Sequence, residues 1–289
     1  MSDTSRTDAS GHESEEGPGS VHELLELLEL EELDTDLYRA HNPSHVEGRH
    51  RLFGGQVAAQ ALRAATLTVP EERFPHSLHG YFLRPGRSDM PTIVRVDRDR
   101  DGRSISSRRV TALQAGQVIF SMSASFQGPD DGPELAPGLP PGMSSPDEAG
   151  ASRVTAFQPL FEIRPVGEGE QARSGFGDTY WARSGMELPD DPLVHACVLT
   201  YLSDMGAGTG ELADAMREHQ APSVDHAVWF HRHVRLDDWV LFSMRPISAQ
   251  SGRLLYSGSI HGADGTFAAT VIQECLIRPL PAGMRPVSR

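Results

Sequence analysis

Two side chains in this chain have a type and a setting that could do chemistry, Asp204 and Gln273. Asp204 follows residues 193–202, a run apolar on nearly every side, which is the pattern of a buried helix. A carboxylate at the C-terminal end of such a helix faces the negative end of the macrodipole, and desolvation there would raise its pKa. A base of raised pKa can take a proton from water. The competing reading is a solvated aspartate in the loop after the helix, and the residues alone leave both open. Gln273 belongs to an alternating segment in which Phe267, Ala269, Val271, Gln273, Cys275 and Ile277 share one strand face. A single amide on that apolar face must find partners. They are either a neighbouring loop or a reactant.

Other chemical signals are weaker. His226, His231 and His233 are close in sequence, but no third ligand has suitable spacing, so no metal site is expected. The segment from Gly206 to Gly210 is glycine-rich like a phosphate loop. It follows a helix rather than a strand, and a turn is the better reading. No GxSxG elbow occurs, which argues against a serine hydrolase. Cys197 and Cys275 lie in apolar runs without ligand spacing and read as buried free thiols of a reducing compartment.

The net charge of −14 is unevenly placed. Residues 1–36 carry −11 and residues 129–150 carry −5, which leaves the remainder at +2. Every basic residue among the 26 Lys and Arg is an arginine, a side chain that can fork onto phosphate. Arg84, Arg108, Arg109 and Arg232 could meet an anionic ligand. Arg108 and Arg109 point opposite ways on a strand, and surface ion pairing competes for all four. No basic stripe with interleaved aromatics marks a nucleic-acid partner. No apolar run is long enough for a membrane span, and the first 20 residues lack a signal core, so a cytoplasmic protein is expected.

The elements that must position Asp204 and Gln273 occur twice. Phe82-Leu83-Arg84 recurs as Phe230-His231-Arg232, Gly102-Arg103 as Gly252-Arg253, and Gly116 as Gly265. Matches in one order at nearly constant offset indicate two copies of one supersecondary unit, and 289 residues suits two cores. The boundaries read as an acidic disordered tail over 1–20, a first unit over 21–128, a proline- and glycine-rich linker over 129–158 and a second unit over 159–289. Leucines among glutamates over 21–33 predict an amphipathic helix. Each unit then offers one apolar helix. The first is alanine-rich over 56–67. The second begins at Asp190-Asp191-Pro192, an N-cap followed by proline at the first helical position. Alternation predicts four strands after each helix, over 76–84, 92–97, 104–112 and 118–126, and over 225–232, 239–246, 253–261 and 266–277. The first helix lacks an acidic residue, and Ala124 stands where the second unit has Gln273. Chemistry should therefore reside in the second copy alone.

A buried helix wrapped by an antiparallel sheet, repeated, is an α+β double hotdog. Several short segments, in order, strengthen that assignment: Phe53-Gly54-Gly55-Gln56, Tyr81-Phe82-Leu83-Arg84-Pro85-Gly86, Asp101-Gly102-Arg103-Ser104, Arg108-Arg109-Val110, Phe126-Gln127, Tyr201-Leu202-Ser203-Asp204, Asp225 to Arg232 and Gln273-Glu274. Together they resemble the type II acyl-CoA thioesterases, the TesB-like double hotdogs, over about residues 24–278. The resemblance implies hydrolysis of a fatty acyl-CoA by an activated water, without a cofactor or metal. It implies that Asp204, Ser223 and Gln273 position that water. Ser223 stands where threonine is common, keeping the hydroxyl but losing the methyl that restricts its rotamer. Gly54, Gly55 and Gln56, at a helix start, are candidates to polarise the thioester carbonyl. Arg84, Arg108 and Arg109 are candidate contacts for CoA, and a homo-oligomer is expected. Two alternatives are an acyl-CoA binding module without turnover and a hotdog enoyl-CoA hydratase. The hydratase would want an Asp/His pair near a helix.

Overall fold

The computed structural model describes residues 21–42, 51–150, 153–155, 158–166, 178–205, 209, 212 and 214–280. The acidic tail over 1–20 and most of the glycine-rich segment over 206–210 lie outside the described residues. Strand pairing gives one 13-stranded antiparallel sheet that is nearly a palindrome. Its centre is β3 (Phe74–Phe82) against β11 (Asp225–Phe230), with Leu78 opposite Val228. Outward from β3 follow β6 (Gln117–Gln127), β5 (Ile105–Gln114), β4 (Thr92–Asp101), β2 (Leu37–Ala40) and β1 (Leu30–Asp34). Outward from β11 follow β14 (Phe267–Leu276), β13 (Arg253–Gly262), β12 (Val240–Gln250), β9 (Thr179–Ser184), β8 (Gln158–Pro165) and β7 (Arg153–Thr155). The eight strands read from alternation are all present. A short pair, β10 (His219–Gln220) with β15 (Arg278–Pro279), stands apart.

The sequence duplication is a duplication of hydrogen bonds. Leu83 and Arg84 both donate their backbone N–H to the Ile119 carbonyl, and His231 and Arg232 do the same to Ala268. Gly116 and Gly265 adopt φ of 74° and 89°, conformations that a glycine enters without strain.

Two helices fill the interior. α2 (Gly54–Thr66) is rich in buried alanine, including Ala58, Ala59, Ala61, Ala64 and Ala65, and short side chains let it lie close on β3, β4, β5 and β6. α3 (Pro192–Ser203) starts as the sequence indicates: the Asp191 carboxylate accepts the Leu193 N–H at 2.9 Å, and proline opens the helix. α3 is buried on nearly all sides and packs against α2.

Two expectations need correction. The helix read over 21–33 stops at Leu28, as α1 (Val21–Leu28), and β1 follows at Leu30. Asp36 takes φ 56°, which folds the chain sharply enough for β2 to pair back on β1 and with β4, and those pairings outweigh helix propensity. The stretch read as linker contains β7 and the start of β8. Its earlier part is tied down: Trp181 donates to the Ser144 carbonyl at 3.0 Å and Arg164 to that of Pro146 at 2.7 Å.

Candidate active site

The end of α3, the start of α2 and the middle of β14 converge on Asp204. Asp204 is the C-cap residue of α3, with φ −90° and ψ 3°. Its Oδ1 accepts from the Ser223 hydroxyl at 2.9 Å and from Gln273 Nε2 at 2.7 Å. Gln273 Nε2 also donates to Ser223 Oγ at 2.6 Å, so one amide nitrogen bridges both oxygens. Ser223 reaches this point because the chain before β11 runs beside β14, with Ser223 paired to Cys275. Gln273 is 1% exposed and faces inward on β14, as alternation required.

Asp204 itself remains partly exposed, so solvent can approach, while the protein around it is dense enough to desolvate the carboxylate. That desolvation raises its pKa above the ordinary carboxylate range. His226, the Gln273 and Ser223 hydrogen bonds, and the Gly55 backbone N–H pull the other way. The electrostatic setting is two-sided: Asp204 sits at the C-terminus of α3 but meets the N-terminus of α2, whose dipole favours a carboxylate.

Two glycines make that approach possible. A Cβ on Gly54 would lie 2.5 Å from Asp204 Oδ2 and 3.0 Å from the Phe82 ring. A Cβ on Gly55 would lie 2.5 Å from the Phe53 ring and closer still to the Tyr201 carbonyl. Both positions must lack a side chain for α2 to reach α3. The Phe53 and Tyr201 rings meet edge-on at 5.0 Å and seal the junction.

Comparisons with known proteins bear on the chain as a whole. A family described as the acyl-CoA thioesterase N-terminal domain matches residues 42–127, and one described as acyl-CoA thioesterase matches residues 168–276. A human protein named acyl-coenzyme A thioesterase 8 is 34% identical over 91% of this chain and 92% of its own length. A Haemophilus influenzae protein named acyl-CoA thioesterase 2 is 33% identical over 89% and 98%. The chain belongs to the acyl-CoA thioesterase family. It is a thioester hydrolase by that membership, and the fold agrees: the crystal structure of an acyl-CoA thioesterase II TesB2 from Mycobacterium marinum is similar at a TM-score of 0.77. That structure shows 38% identity and covers 90% of this chain and 100% of its own.

The remaining candidate residues of this thioesterase fall into distinct settings. The Gln56 side chain is buried and donates to Asn42 at 3.0 Å. Arg108 is fully buried and offers nothing to a ligand, which corrects its reading as a CoA contact. Its guanidinium donates to Thr68 Oγ1, to the Thr68, Arg100 and Ser107 carbonyls and to Asp101. Arg109 is exposed and pairs with Asp99 at 3.1 Å, Arg84 donates to the Val118 carbonyl, and Arg232 pairs with Glu134 at 2.7 Å. Both cysteines are buried thiols outside any disulfide, and burial pushes the Cys197 thiol up to about 12. Among the described residues no cluster of His, Cys, Asp and Glu could hold a metal, and no helix is long and apolar enough to cross a membrane.

Ser203 escapes the sequence reading as a site residue, and His226 is weighed there only as a metal ligand. His226 is fully buried, and its Nδ1 makes a short hydrogen bond to Gln273 Oε1 while its Nε2 lies 2.8 Å from Ser203 Oγ. A signal existed: on β11 His226 alternates in phase with Val228, so it had to face inward.

Proposed function

We propose that this thioesterase hydrolyses fatty acyl-CoA at one site per chain, with Asp204 as the base and Ser223 and Gln273 as the groups that orient the attacking water. The observation that carries the reading is the Gln273 amide nitrogen bridging Asp204 Oδ1 and Ser223 Oγ. With two donors on Oδ1, the carboxylate is fixed in orientation, and its raised pKa suits it to receive a proton from water. As that proton moves to Asp204, the water oxygen bonds to the thioester carbonyl carbon. Collapse of the tetrahedral intermediate breaks the carbon–sulfur bond, and the thiolate leaves and collects the proton. A thiol of pKa about 8.5 needs little acid assistance, so positioning and a base suffice.

Comparison of the copies supports a single site. The cross-strand neighbours His226 and Gln273 correspond, at offsets of 148 and 149 residues, to Leu78 and Ala124, which are partners on β3 and β6. Where the second copy places Asp204 just beyond α3, the first places Thr68 just beyond α2, bound by the buried Arg108. Copy one is thus packed with apolar groups and a satisfied ion pair, and it contributes the α2 terminus to the site of copy two. Residues 21–128 and 159–289 are the two units of this reading.

The test is thiol release from acyl-CoAs of short, medium, long and branched chains, comparing wild type with Asp204→Asn and Gln273→Ala. Release that collapses in both variants while circular dichroism is unchanged supports the mechanism, and the series assigns the chain class. A protein that binds acyl-CoA without release is a binding module, and the mechanism fails.

A further inference from the structure

His226 is a fully buried titratable side chain that the proposed chemistry does not use, and its neighbours form a closed circuit. We propose that His226 is a positioning residue which, with Ser203, holds the Gln273 carboxamide so that its nitrogen end faces Asp204 and Ser223. The proposal rests on the reading of Asp204, Ser223 and Gln273 given above.

The circuit has four sides. Gln273 Nε2 donates to Asp204; Gln273 Oε1 meets His226 Nδ1; His226 Nε2 meets Ser203 Oγ; and Ser203 is bonded through the backbone to Asp204. The two ends of a carboxamide are nearly equal in shape and opposite in hydrogen-bonding sense. Turned over, Gln273 would set an oxygen against Asp204 Oδ1 and would set its NH2 against His226. Since Gln273 Oε1 can only accept, the contact requires a proton on His226 Nδ1. A ring fixed as donor at that nitrogen admits the amide in one orientation.

The far side of the ring is compatible with this assignment. Ser203 Oγ lies 2.8 Å from His226 Nε2 and 2.9 Å from the Thr200 carbonyl, and a hydroxyl has one proton to give. In the structure the hydroxyl donates to the Thr200 carbonyl; in a neutral ring protonated at Nδ1 it turns to donate to Nε2. With imidazolium, Nε2 donates to the hydroxyl, which keeps its bond to the Thr200 carbonyl. In both states Nδ1 keeps its proton on Gln273; the neutral form protonated at Nε2 would bare Nδ1 against Gln273 Oε1, and it is opposed because Asp204 holds the Nε2 end of the Gln273 amide. Asp204 and Asp225 are the acids whose charge acts on this ring. On the β3 side His226 faces Gly80, which has no polar side chain.

The experiment measures kcat and KM for thiol release, with the best-hydrolysed acyl-CoA, in His226→Leu, His226→Asn, Ser203→Ala, Gln273→Ala and the His226→Leu/Gln273→Ala double variant. Loss of the donor lets the amide turn or drift by about 1 Å, so His226→Leu is expected to lose roughly 10²-fold in kcat with little change in KM. Asparagine places its amide nitrogen near the former Nδ1 and is expected to recover most of that loss. Leucine should add nothing in the Gln273→Ala background, where the group it positions is gone. If leucine prevents folding, Ser203→Ala carries the test: it removes the far contact and the hydroxyl's bond to the Thr200 carbonyl but leaves the ring in place, and kcat should fall in wild type but not in Gln273→Ala. Wild-type kcat in His226→Leu, equal loss with asparagine, or undiminished loss in the Gln273→Ala background would each overturn the proposal. Full activity in Gln273→Ala would instead overturn the underlying reading of the site.

Discussion

Gly55→Ala tests whether the start of α2 belongs to the site. The new Cβ would lie 2.5 Å from the Phe53 ring and closer to the Tyr201 carbonyl, against an ordinary contact of 3.4 Å or more, so roughly 1 Å must be found by movement. Phe53 can give way by turning its ring. Tyr201 contributes backbone in the last turn of α3, three residues before Asp204, and can move only with the helix. Overpacking of this kind costs about 1–3 kcal/mol. At roughly 2–4 °C per kcal/mol for a chain somewhat smaller than this, a fall of several degrees in Tm is expected. The same shift withdraws the Gly55 N–H from Asp204 and moves the α3 end relative to β14, and a displacement near 1 Å costs on the order of 10²-fold in rate. The assay is thiol release beside a thermal melt. Gly54→Ala is the paired control: its Cβ meets side chains only, Asp204 Oδ2 and the Phe82 ring, so it should lose activity with a smaller loss of Tm. Wild-type turnover and wild-type Tm in Gly55→Ala would refute the assignment of the α2 start to the site.

Further outcomes follow from the same geometry. Turnover should rise with pH through the elevated pKa of Asp204 and then level, since the proposed base acts as the anion. A raised folded-state pKa means the folded protein holds a proton that the unfolded chain has released. The Asp204 contribution to stability is therefore present below the ordinary carboxylate pKa and lost as pH rises through the shifted value. Asp204→Asn should accordingly melt above wild type at neutral pH, and the gap should close toward acid. Ser223→Ala removes a hydrogen bond to a charged group worth about 1.5–3 kcal/mol, so kcat should fall roughly tenfold to a hundredfold, while Ser223→Thr keeps the hydroxyl and should retain kcat. Arg108→Leu leaves Thr68 and Asp101 without their shared buried partner. It should cost about 1–3 kcal/mol in chemical denaturation, the scale of buried acceptors left unsatisfied, while the folded fraction keeps its KM for acyl-CoA.

Much of the fold is legible because its signals are local. Alternation marks eight strands, and Asp191-Pro192 marks the start of α3 by capping chemistry alone. β1, β2, β8 and β9 are not legible: they are short strands whose identity depends on partners far along the chain, and Leu30–Asp34 suits a helical period as well as an alternating one. Asp204 and Gln273 were visible because each breaks an apolar pattern. Ser223 has no such contrast and was reached only through family resemblance. His226 was visible as an inward-facing residue, but its partners lie 23 and 47 residues away, and the pairing of β11 with β14 is what brings them together. Arg108 misled because arginine composition suggests phosphate binding, whereas burial commits all of its donors to the protein.

The Asp204–Ser223–Gln273 cluster is proposed to activate water against a thioester. Single-turnover thiol release from acyl-CoA, with binding measured in parallel, tests this role most directly in Asp204→Asn and Gln273→Ala. Both variants should bind acyl-CoA as wild type does, and release should fall by at least about 10²-fold in each, the scale of a removed general base or a misplaced reactant. Release at the wild-type rate in either variant would contradict that role.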